Sequence, residues 1–176
     1  MKRKNRKKHC MSRLRAKSVV TTAISGLAIT MGMITPAAAE PPPSFPVPYA
    51  NGQSGTCLDW AGGTTVGVWH CNYGADNQAW GAERTSPNTW RFRNQASGAC
   101  LDWSVETTRV GSWHCNGGLN QDWYVVSNQD DHDAVTYELR NKASGTCLDW
   151  SEGANRVGVW HCNGGNNQLW YIPLTP

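Results

Sequence analysis

Cys147 to Trp170 reads CLDWSEGANRVGVWHCNGGNNQLW, and two close copies of this stretch come before it. Cys57 to Trp80 keeps the segments CLDW, VGVWHCN and DNQAW, and Cys100 to Trp123 keeps CLDW, VGSWHCN and LNQDW. The first cysteines of successive copies lie 43 and 47 residues apart. A sequence period of about 45 residues predicts one structural unit repeated three times, so each candidate site occurs in three copies.

The composition of the repeats favours an all-β fold. Short runs rich in β-branched and aromatic residues alternate with Gly, Asn, Ser and Thr, at 66–69, 90–93, 124–126 and 135–139. This pattern is typical of short strands joined by tight turns. Three repeats, at about 50–89, 90–134 and 135–176, each have room for four strands, and together they predict a one-domain β-trefoil with pseudo-threefold symmetry. A propeller with the same repeat length needs at least four blades.

The first 39 residues have the layout of a secretory signal peptide. Residues 2–17 hold nine Lys or Arg and no acidic residue, residues 18–35 are small and apolar, and an alanine run ends at Ala39. We expect cleavage after Ala39 and a secreted, extracellular protein. A membrane anchor is the alternative, but Ser, Thr and Gly interrupt the apolar run. Residues 40–49 are rich in proline, which predicts a stiff leader or linker before a domain at 50–176.

Removal of the signal reverses the net charge. Nine of the sixteen basic side chains lie in the signal and none of the thirteen acidic ones does, so the formal charge changes from +3 to −6. An acidic surface is repelled by phosphate backbones. We therefore expect no nucleic-acid partner, and no membrane insertion after signal cleavage.

Six of the seven cysteines remain after cleavage, and an even number in an exported chain predicts disulfides. Six cysteines allow fifteen pairings. We predict the one pairing that keeps each bond within its repeat, which is Cys57 with Cys71, Cys100 with Cys115 and Cys147 with Cys162.

Side-chain alternation along strands places an acidic residue beside a tryptophan in each repeat. In the third repeat, Cys147 and Asp149 share one face of a strand, and Trp160 and Cys162 share one face of the next. A bond between the cysteines makes Asp149 and Trp160 neighbours. The same reasoning applies to the other two pairs, Asp59 with Trp69 and Asp102 with Trp113.

This pair of residue types, with an amide nearby, suits a sugar. The carboxylate accepts hydrogen bonds from vicinal hydroxyls, the indole covers the apolar face of the ring, and an amide adds a donor and an acceptor. One asparagine in each repeat is placed to supply the amide: Asn77, Asn120 and Asn167.

The segments CLDW, VWHCN and Gln-x-Trp resemble the repeat of the ricin-type lectin family. The resemblance covers residues 50–176, and all three Gln-x-Trp copies are present, at 78–80, 121–123 and 168–170. It implies a β-trefoil that binds carbohydrate, often galactose-like, with the Gln-x-Trp tryptophans buried. It also implies the sugar contacts: Asp59, Trp69 and Asn77; Asp102, Trp113 and Asn120; Asp149, Trp160 and Asn167. The CNGG loops after Cys115 and Cys162 are similar to those of mannose-binding trefoil lectins, so the sugar class stays open.

Two features depart from the family pattern. Glycine stands two positions before each candidate sugar-stacking tryptophan, where some members carry a polar contact: Gly67, Gly111 and Gly158. The first repeat also differs in loop length, with five residues rather than six between Trp60 and Val66 and five rather than four between Cys71 and Asn77, and it lacks the counterparts of Arg109 and Arg156. We expect the rim of the first site to differ from the others.

Other functions fit the repeated residues less well. His70, His114 and His161 have no second ligand at metal spacing within a repeat, so we expect no metal and no cofactor. The acidic run at 130–133 reads as a solvated turn. No pair of carboxylates with separate acid and base roles stands out, and we expect no enzymatic activity. The alternative to a lectin with up to three weak, cooperating sites is a β-trefoil that binds proteins through exposed loops, such as a protease inhibitor or toxin partner.

Overall fold

The computed structural model describes residues 40–107, 109–129, 135–151 and 156–174. The predicted signal peptide and the acidic run at 130–133 lie outside the described residues. Twelve strands form in the described part: β1 (Ala50–Asn51), β2 (Cys57–Gly62), β3 (Thr65–Trp69), β4 (Trp80–Ser86), β5 (Thr89–Asn94), β6 (Cys100–Trp103), β7 (Val110–Trp113), β8 (Trp123–Gln129), β9 (Val135–Asn141), β10 (Cys147–Ser151), β11 (Arg156–Trp160) and β12 (Leu169–Tyr171). Leu119–Gln121 and Asn166–Gln168 form single turns of 3-10 helix.

Six strands form a barrel and six form its cap, which confirms the predicted all-β trefoil. The barrel strands pair in the order β1, β12, β9, β8, β5, β4. A bridge between Val47 and Trp80 closes the ring from β4 to the segment before β1. The other strands form the hairpins β2–β3, β6–β7 and β10–β11, whose second strands meet one another around the pseudo-threefold axis.

The Gln-x-Trp tryptophans fill the core. Trp80, Trp123 and Trp170 are fully buried, as the sequence implies. Each indole Nε1 donates to a leucine carbonyl 22 residues earlier, at 3.1–3.3 Å, so the polar atom of each ring has a buried partner: Leu58, Leu101 and Leu148 respectively. A core of large rings with satisfied N–H groups fixes the three repeats against one another.

The three disulfides have the predicted pairing: Cys57–Cys71, Cys100–Cys115 and Cys147–Cys162. Each joins the start of a cap hairpin to the residues just beyond its second strand. A bond that closes a loop of about 15 residues contributes about 3 kcal/mol in a chain-entropy model, which holds each hairpin closed next to its candidate site.

The proline-rich segment packs against the domain that follows it. Val47 exchanges two backbone hydrogen bonds with Trp80, and the carbonyl of Pro43 accepts one from Ala82. Val47 and Tyr49 are buried in the core. The segment therefore covers the edge of β4, and the flanking prolines limit how many ladder bonds it can make there.

Candidate functional site

In each repeat, the predicted site residues come from three different elements. The aspartate is the third residue of the first hairpin strand, the tryptophan is the last residue of the second, and the asparagine lies in the turn before the next barrel strand. In the third repeat Asp149 lies opposite Gly158, and Cys147 lies opposite Trp160. The first and second repeats have the same register. The structure thus brings Asp and Trp together on one face as diagonal neighbours.

One oxygen of each aspartate is occupied by amides of its own repeat. In the third repeat, Oδ2 of Asp149 accepts hydrogen bonds from Asn167 Nδ2 at 2.8 Å and Gln168 Nε2 at 2.9 Å. Asp59 and Asp102 make the corresponding bonds at 2.8–2.9 Å. The other oxygen, Oδ1, accepts no hydrogen bond from the described residues in any of the three copies, so it is available to a ligand.

The glutamines of Gln-x-Trp position these aspartates, a role that sequence reasoning missed. Gln168 is fully buried; its Nε2 also donates to the His161 carbonyl at 2.9 Å, and its Oε1 accepts from the Asn163 amide at 2.9 Å. Gln78 and Gln121 make the same bonds. The glutamine therefore ties the aspartate to the backbone on both sides of the second cysteine. The presence of this glutamine in all three copies is the feature of the sequence that could have indicated the role.

A second set of asparagines, also missed, fixes the turns that carry the site asparagines. Their Nδ2 atoms donate to the backbone carbonyls of the site asparagines at 2.8–2.9 Å: Asn94 to Asn77, Asn141 to Asn120 and Asn51 to Asn167. All three are buried. They belong to a repeated pattern, Asn-x-x-Ser-Gly-x-Cys, that precedes each CLDW segment at 51–57, 94–100 and 141–147. The repeated sequence therefore extends at least six residues before the first cysteine of each copy.

The candidate stacking tryptophans are exposed. Trp69, Trp113 and Trp160 have 55%, 49% and 58% of their surface accessible. Each lies 5.2–5.3 Å from the ring of the following histidine, at a tilt of 46–48°. An indole ring with about half of its surface exposed beside a carboxylate presents a flat apolar surface to solvent.

A second tryptophan forms the floor of each site. Trp60, Trp103 and Trp150 follow the aspartates and pack partly against the core. The Nε1 of Trp60 donates to the Gly63 carbonyl at 2.9 Å. The Nε1 atoms of Trp103 and Trp150 are buried and have no hydrogen-bond partner among the described residues.

The third site opens as a cavity of about 550 Å³. Its walls include the predicted Asp149, Trp160 and Asn167, together with Trp150 and Gln53. Gly158, opposite Asp149, has nothing within 4 Å of where a Cβ would be. Glycine here leaves the space above the carboxylate open.

Burial raises the pKa of the Asp102 and Asp149 carboxyls above the usual value of 3.8. Hydrogen bonds from the neighbouring Gln and Asn amides, and the nearby His114 and His161, act in the opposite direction but do not cancel the effect of burial. The second and third sites thus hold carboxylates that are harder to ionise than exposed ones.

The departure at Arg109 and Arg156 affects sites in neighbouring repeats. The second strand of each hairpin contains a Val-Gly pair, and the residue before it lies opposite the glycine of the same pair in another repeat. These pairings across the pseudo-threefold axis are Arg156 with Gly67, Thr65 with Gly111 and Arg109 with Gly158. The threonine of the first repeat therefore borders the second site. Pairing across the axis thus places this residue of each hairpin beside the site of another repeat, and Arg156 of the third repeat lies opposite Gly67 of the first.

The described residues contain one grouping with the composition of a metal site, Glu138 with Cys147 and Cys162. Both sulfurs belong to a disulfide, so neither is a thiolate ligand. The three histidines are exposed, and each ring lies tilted against the tryptophan before it. In the described part of the chain, no helix is long and apolar enough to cross a bilayer.

Family models of known domains match most of this architecture. Residues 47–133 match the ricin-type beta-trefoil lectin domain, and residues 119–176 match the ricin-type beta-trefoil lectin domain-like model. A comparison with curated protein sequences finds no match.

Several solved structures are similar. The designed 3-fold symmetric protein ThreeFoil is 26% identical, with a TM-score of 0.63 over 73% of this chain and 99% of that one. The exo-beta-1,3-galactanase 1,3Gal43A from Clostridium thermocellum is also 26% identical, with a TM-score of 0.64 over 76% of this chain but 31% of the galactanase. The hemolytic lectin CEL-III shares the fold at 22% identity and a TM-score of 0.58, over 75% of this chain and 33% of the lectin. The chain thus spans about a third of the length of these two larger proteins.

Proposed function

Because this chain belongs to the ricin-type β-trefoil lectin family, whose domain is a carbohydrate-binding one, we propose that it is a secreted lectin with up to three sites for neutral sugars. The sites lie in the three repeats and use the sets Asp59, Trp69 and Asn77; Asp102, Trp113 and Asn120; and Asp149, Trp160 and Asn167. Three intra-repeat disulfides are in keeping with export to an oxidising compartment.

The observation that carries the proposal is the half-occupied aspartate beside an exposed indole. Oδ2 of each aspartate is held by two amides, and Oδ1 is left to accept sugar hydroxyls. The held oxygen fixes the direction of the free one, so little side-chain freedom is lost when a sugar binds. The indole, diagonal to the carboxylate, offers the apolar surface that a sugar ring face needs.

The similarity to an exo-beta-1,3-galactanase supports a galactose-like sugar as the first ligand class to test. A shallow open site of this kind binds a single sugar weakly; a millimolar dissociation constant corresponds to about 4 kcal/mol. Useful affinity then requires several sites to engage one polysaccharide or one glycan-bearing surface.

The same repetition argues against catalysis. A glycosidase separates the roles of two carboxylates through different environments. Here each repeated aspartate has the same two amide partners. We propose a binding protein without enzymatic activity.

The test compares residues 40–176 of the wild type with a triple variant, D59N/D102N/D149N, on a glycan array. Asparagine is the informative substitution because its Oδ1 can accept the two inner hydrogen bonds while its Nδ2 replaces the outward acceptor with a donor. Alanine would leave a buried glutamine donor unpaired, at a cost of about 1–3 kcal/mol. The alanine variant would therefore lose stability as well as binding, and the two effects could not be separated. We expect the wild type to bind and the folded triple variant to lose at least tenfold in affinity.

A triple variant that binds like the wild type would show that the aspartates do not contact sugar. A correctly folded wild type that binds no glycan would favour the protein-binding alternative, in which exposed loops rather than the repeated residues make the contacts. Thermal unfolding of both proteins distinguishes lost binding from lost structure.

A further inference from the structure

Five of the seven cationic side chains in residues 40–176 are engaged within the domain. Arg91 and Lys142 lie 2.6 Å and 3.6 Å from the buried Asp122. The guanidinium groups of Arg93 and Arg140 donate to the carbonyls of Gly98 and Gly145. Arg84 donates to two carbonyls and lies over the ring of Trp90.

The two remaining cations, Arg109 and Arg156, are exposed. Neither makes a hydrogen bond, ion pair or ring contact through its side chain with the described residues. They occupy equivalent positions at the start of the second hairpin strands, and both meet another repeat at the pseudo-threefold axis, Arg109 at Gly158 and Arg156 at Gly67. Among the described residues, these are the two cationic side chains without such a partner, and both lie at the pseudo-threefold axis of an acidic domain.

Both arginines line a single groove that begins in the second sugar site. The groove has a volume of about 1040 Å³ and includes Asp102, Trp113 and Asn120 at one end. It continues past Arg109 to Arg156 and Gly158 of the third repeat. It is about twice the volume of the third site's cavity, so it has room for more than one sugar ring.

Two features keep this groove open. The first repeat contributes Thr65 where the other repeats have arginine, so a shorter side chain borders the second site. Gly158 contributes no side chain. Glu106 also lines the groove, yet it forms no ion pair with either arginine, so both guanidinium groups remain available.

We propose that this groove is an extended site in which Asp102 holds a neutral sugar and Arg109 and Arg156 hold an anionic substituent on the neighbouring sugar. The proposal rests on the lectin function proposed above and adds the ligand class of its second site. A guanidinium group binds carboxylate and sulfate oxygens with two parallel hydrogen bonds, and charge-assisted bonds of this kind are the stronger ones. The substituent is thus a sugar carboxylate or a sulfate ester.

The experiment uses matched disaccharides of galactose, mannose and glucose, each with a second residue that is neutral, 6-sulfated or a uronic acid. We expect the wild type to bind at least one charged form about tenfold more tightly than its neutral counterpart at low salt, and this ratio to fall with added salt. In R109Q/R156Q the ratio falls to about one. The sulfated and uronic acid forms show which anion is preferred.

The matched control is R93Q/R140Q. It removes the same two charges from the same two repeats, but from side chains that lie outside the groove. We expect it to keep the wild-type ratio. D59N/D149N, which retains only the second site, also keeps the preference, whereas D102N loses it. Thermal unfolding confirms that each variant is folded.

Each other outcome contradicts the proposal in a distinguishable way. Equal binding of charged and neutral forms by the wild type overturns the anionic subsite and leaves the lectin function standing. A preference that survives in R109Q/R156Q, or that R93Q/R140Q loses equally, assigns it to other residues or to overall charge. A folded wild type that binds none of the disaccharides and no glycan on the array overturns both proposals.

Discussion

At the scale of single residues, each site aspartate divides two roles between its two oxygens. From sequence, such a residue reads either as a turn-capping carboxylate or as a sugar contact. Among the described residues, Oδ2 accepts hydrogen bonds from the side-chain amides of Asn and Gln rather than from the backbone of a turn, which is a structural role, and Oδ1 accepts none and is left for the proposed sugar contact. Alanine substitution therefore perturbs both roles, and asparagine separates them.

The raised pKa of Asp102 and Asp149 predicts that sugar binding at these two sites weakens on acidification at a higher pH than an exposed aspartate would give. Binding needs the ionised carboxylate, so affinity is full above the raised pKa and falls as the pH drops through it, beginning above the usual 3.8. Because the folded state holds these protons more tightly than the unfolded state, protonation of the two groups stabilises the fold, and their contribution to stability is lost as the pH rises through this window. Calorimetric titration between pH 7 and pH 4, with circular dichroism as the check on folding, measures the effect. Affinity that stays constant down to pH 4 would contradict the role of the carboxylates.

At the scale of elements, the turns that carry Asn120 and Asn167 depend on a glycine two residues before the asparagine. A Cβ at Gly165 would lie 2.6 Å from Asn167 Oδ1, and one at Gly118 would lie 2.4 Å from Asn120 Oδ1. The backbone conformation of Gly165, at φ −67° and ψ 150°, is one that any residue can adopt. The first repeat has Ala75 at this position, in a loop one residue longer. Glycine is thus needed in the two shorter loops for the space that the asparagine occupies.

Gly165→Ala is expected to weaken the third site with little loss of stability. The methyl group displaces Asn167 from Asp149, while the buried Gln168 keeps its own bonds. In a D59N/D102N background, where only the third site remains, we expect affinity to fall about tenfold and the unfolding midpoint to change by a few degrees at most. Ala75→Gly in a D102N/D149N background is the control, and the first site should keep its affinity. An unchanged third site would show that Asn167 is dispensable.

The sequence predicts the hairpins well but not the contacts that position the site. Strand alternation and the cysteine spacing were sufficient to make Asp149 and Trp160 neighbours, because both arguments concern residues on paired strands. The bond between Asp149 and Gln168 joins residues 19 apart through a turn, and no periodicity encodes that distance. The pairing of Arg156 with Gly67 is a contact between repeats, so reasoning within one repeat does not reveal it.

At the scale of the whole molecule, each site is completed by the strand that begins the next repeat. Asn94 of the second repeat holds the turn of the first site, and Asn141 of the third repeat holds that of the second. For the third site the next repeat is the first, and Asn51 closes the ring by donating to the Asn167 carbonyl. The third site therefore depends on the first described strand.

Asn51→Ala is expected to destabilise the domain and to weaken the third site. It removes a buried side chain that donates to Asn167 and accepts from the amides of Gln53 and Ser54; unpaired buried groups of this kind cost about 1–3 kcal/mol each. Denaturant unfolding measures the loss of stability, and titration in a D59N/D102N background measures the third site. Asn94→Ala in the same background is the matched control: it should lose similar stability but keep third-site affinity, because Asn94 supports the first site. Equal binding losses in the two variants would argue for a general loosening of the fold.

The pairing of β1 with β12 also determines where the chain can be cut and rejoined. Ala50 lies opposite Tyr171, so the two ends of the barrel are side by side, and a short linker between them with new termini in another loop gives a circular permutant. Opening the loop between β4 and β5, at Pro87 and Asn88, would leave every cap hairpin intact. Such permutants would allow a surface or a reporter to be attached at different angles to the sugar sites. The choice of the loop that carries the new termini would then set the orientation of the domain.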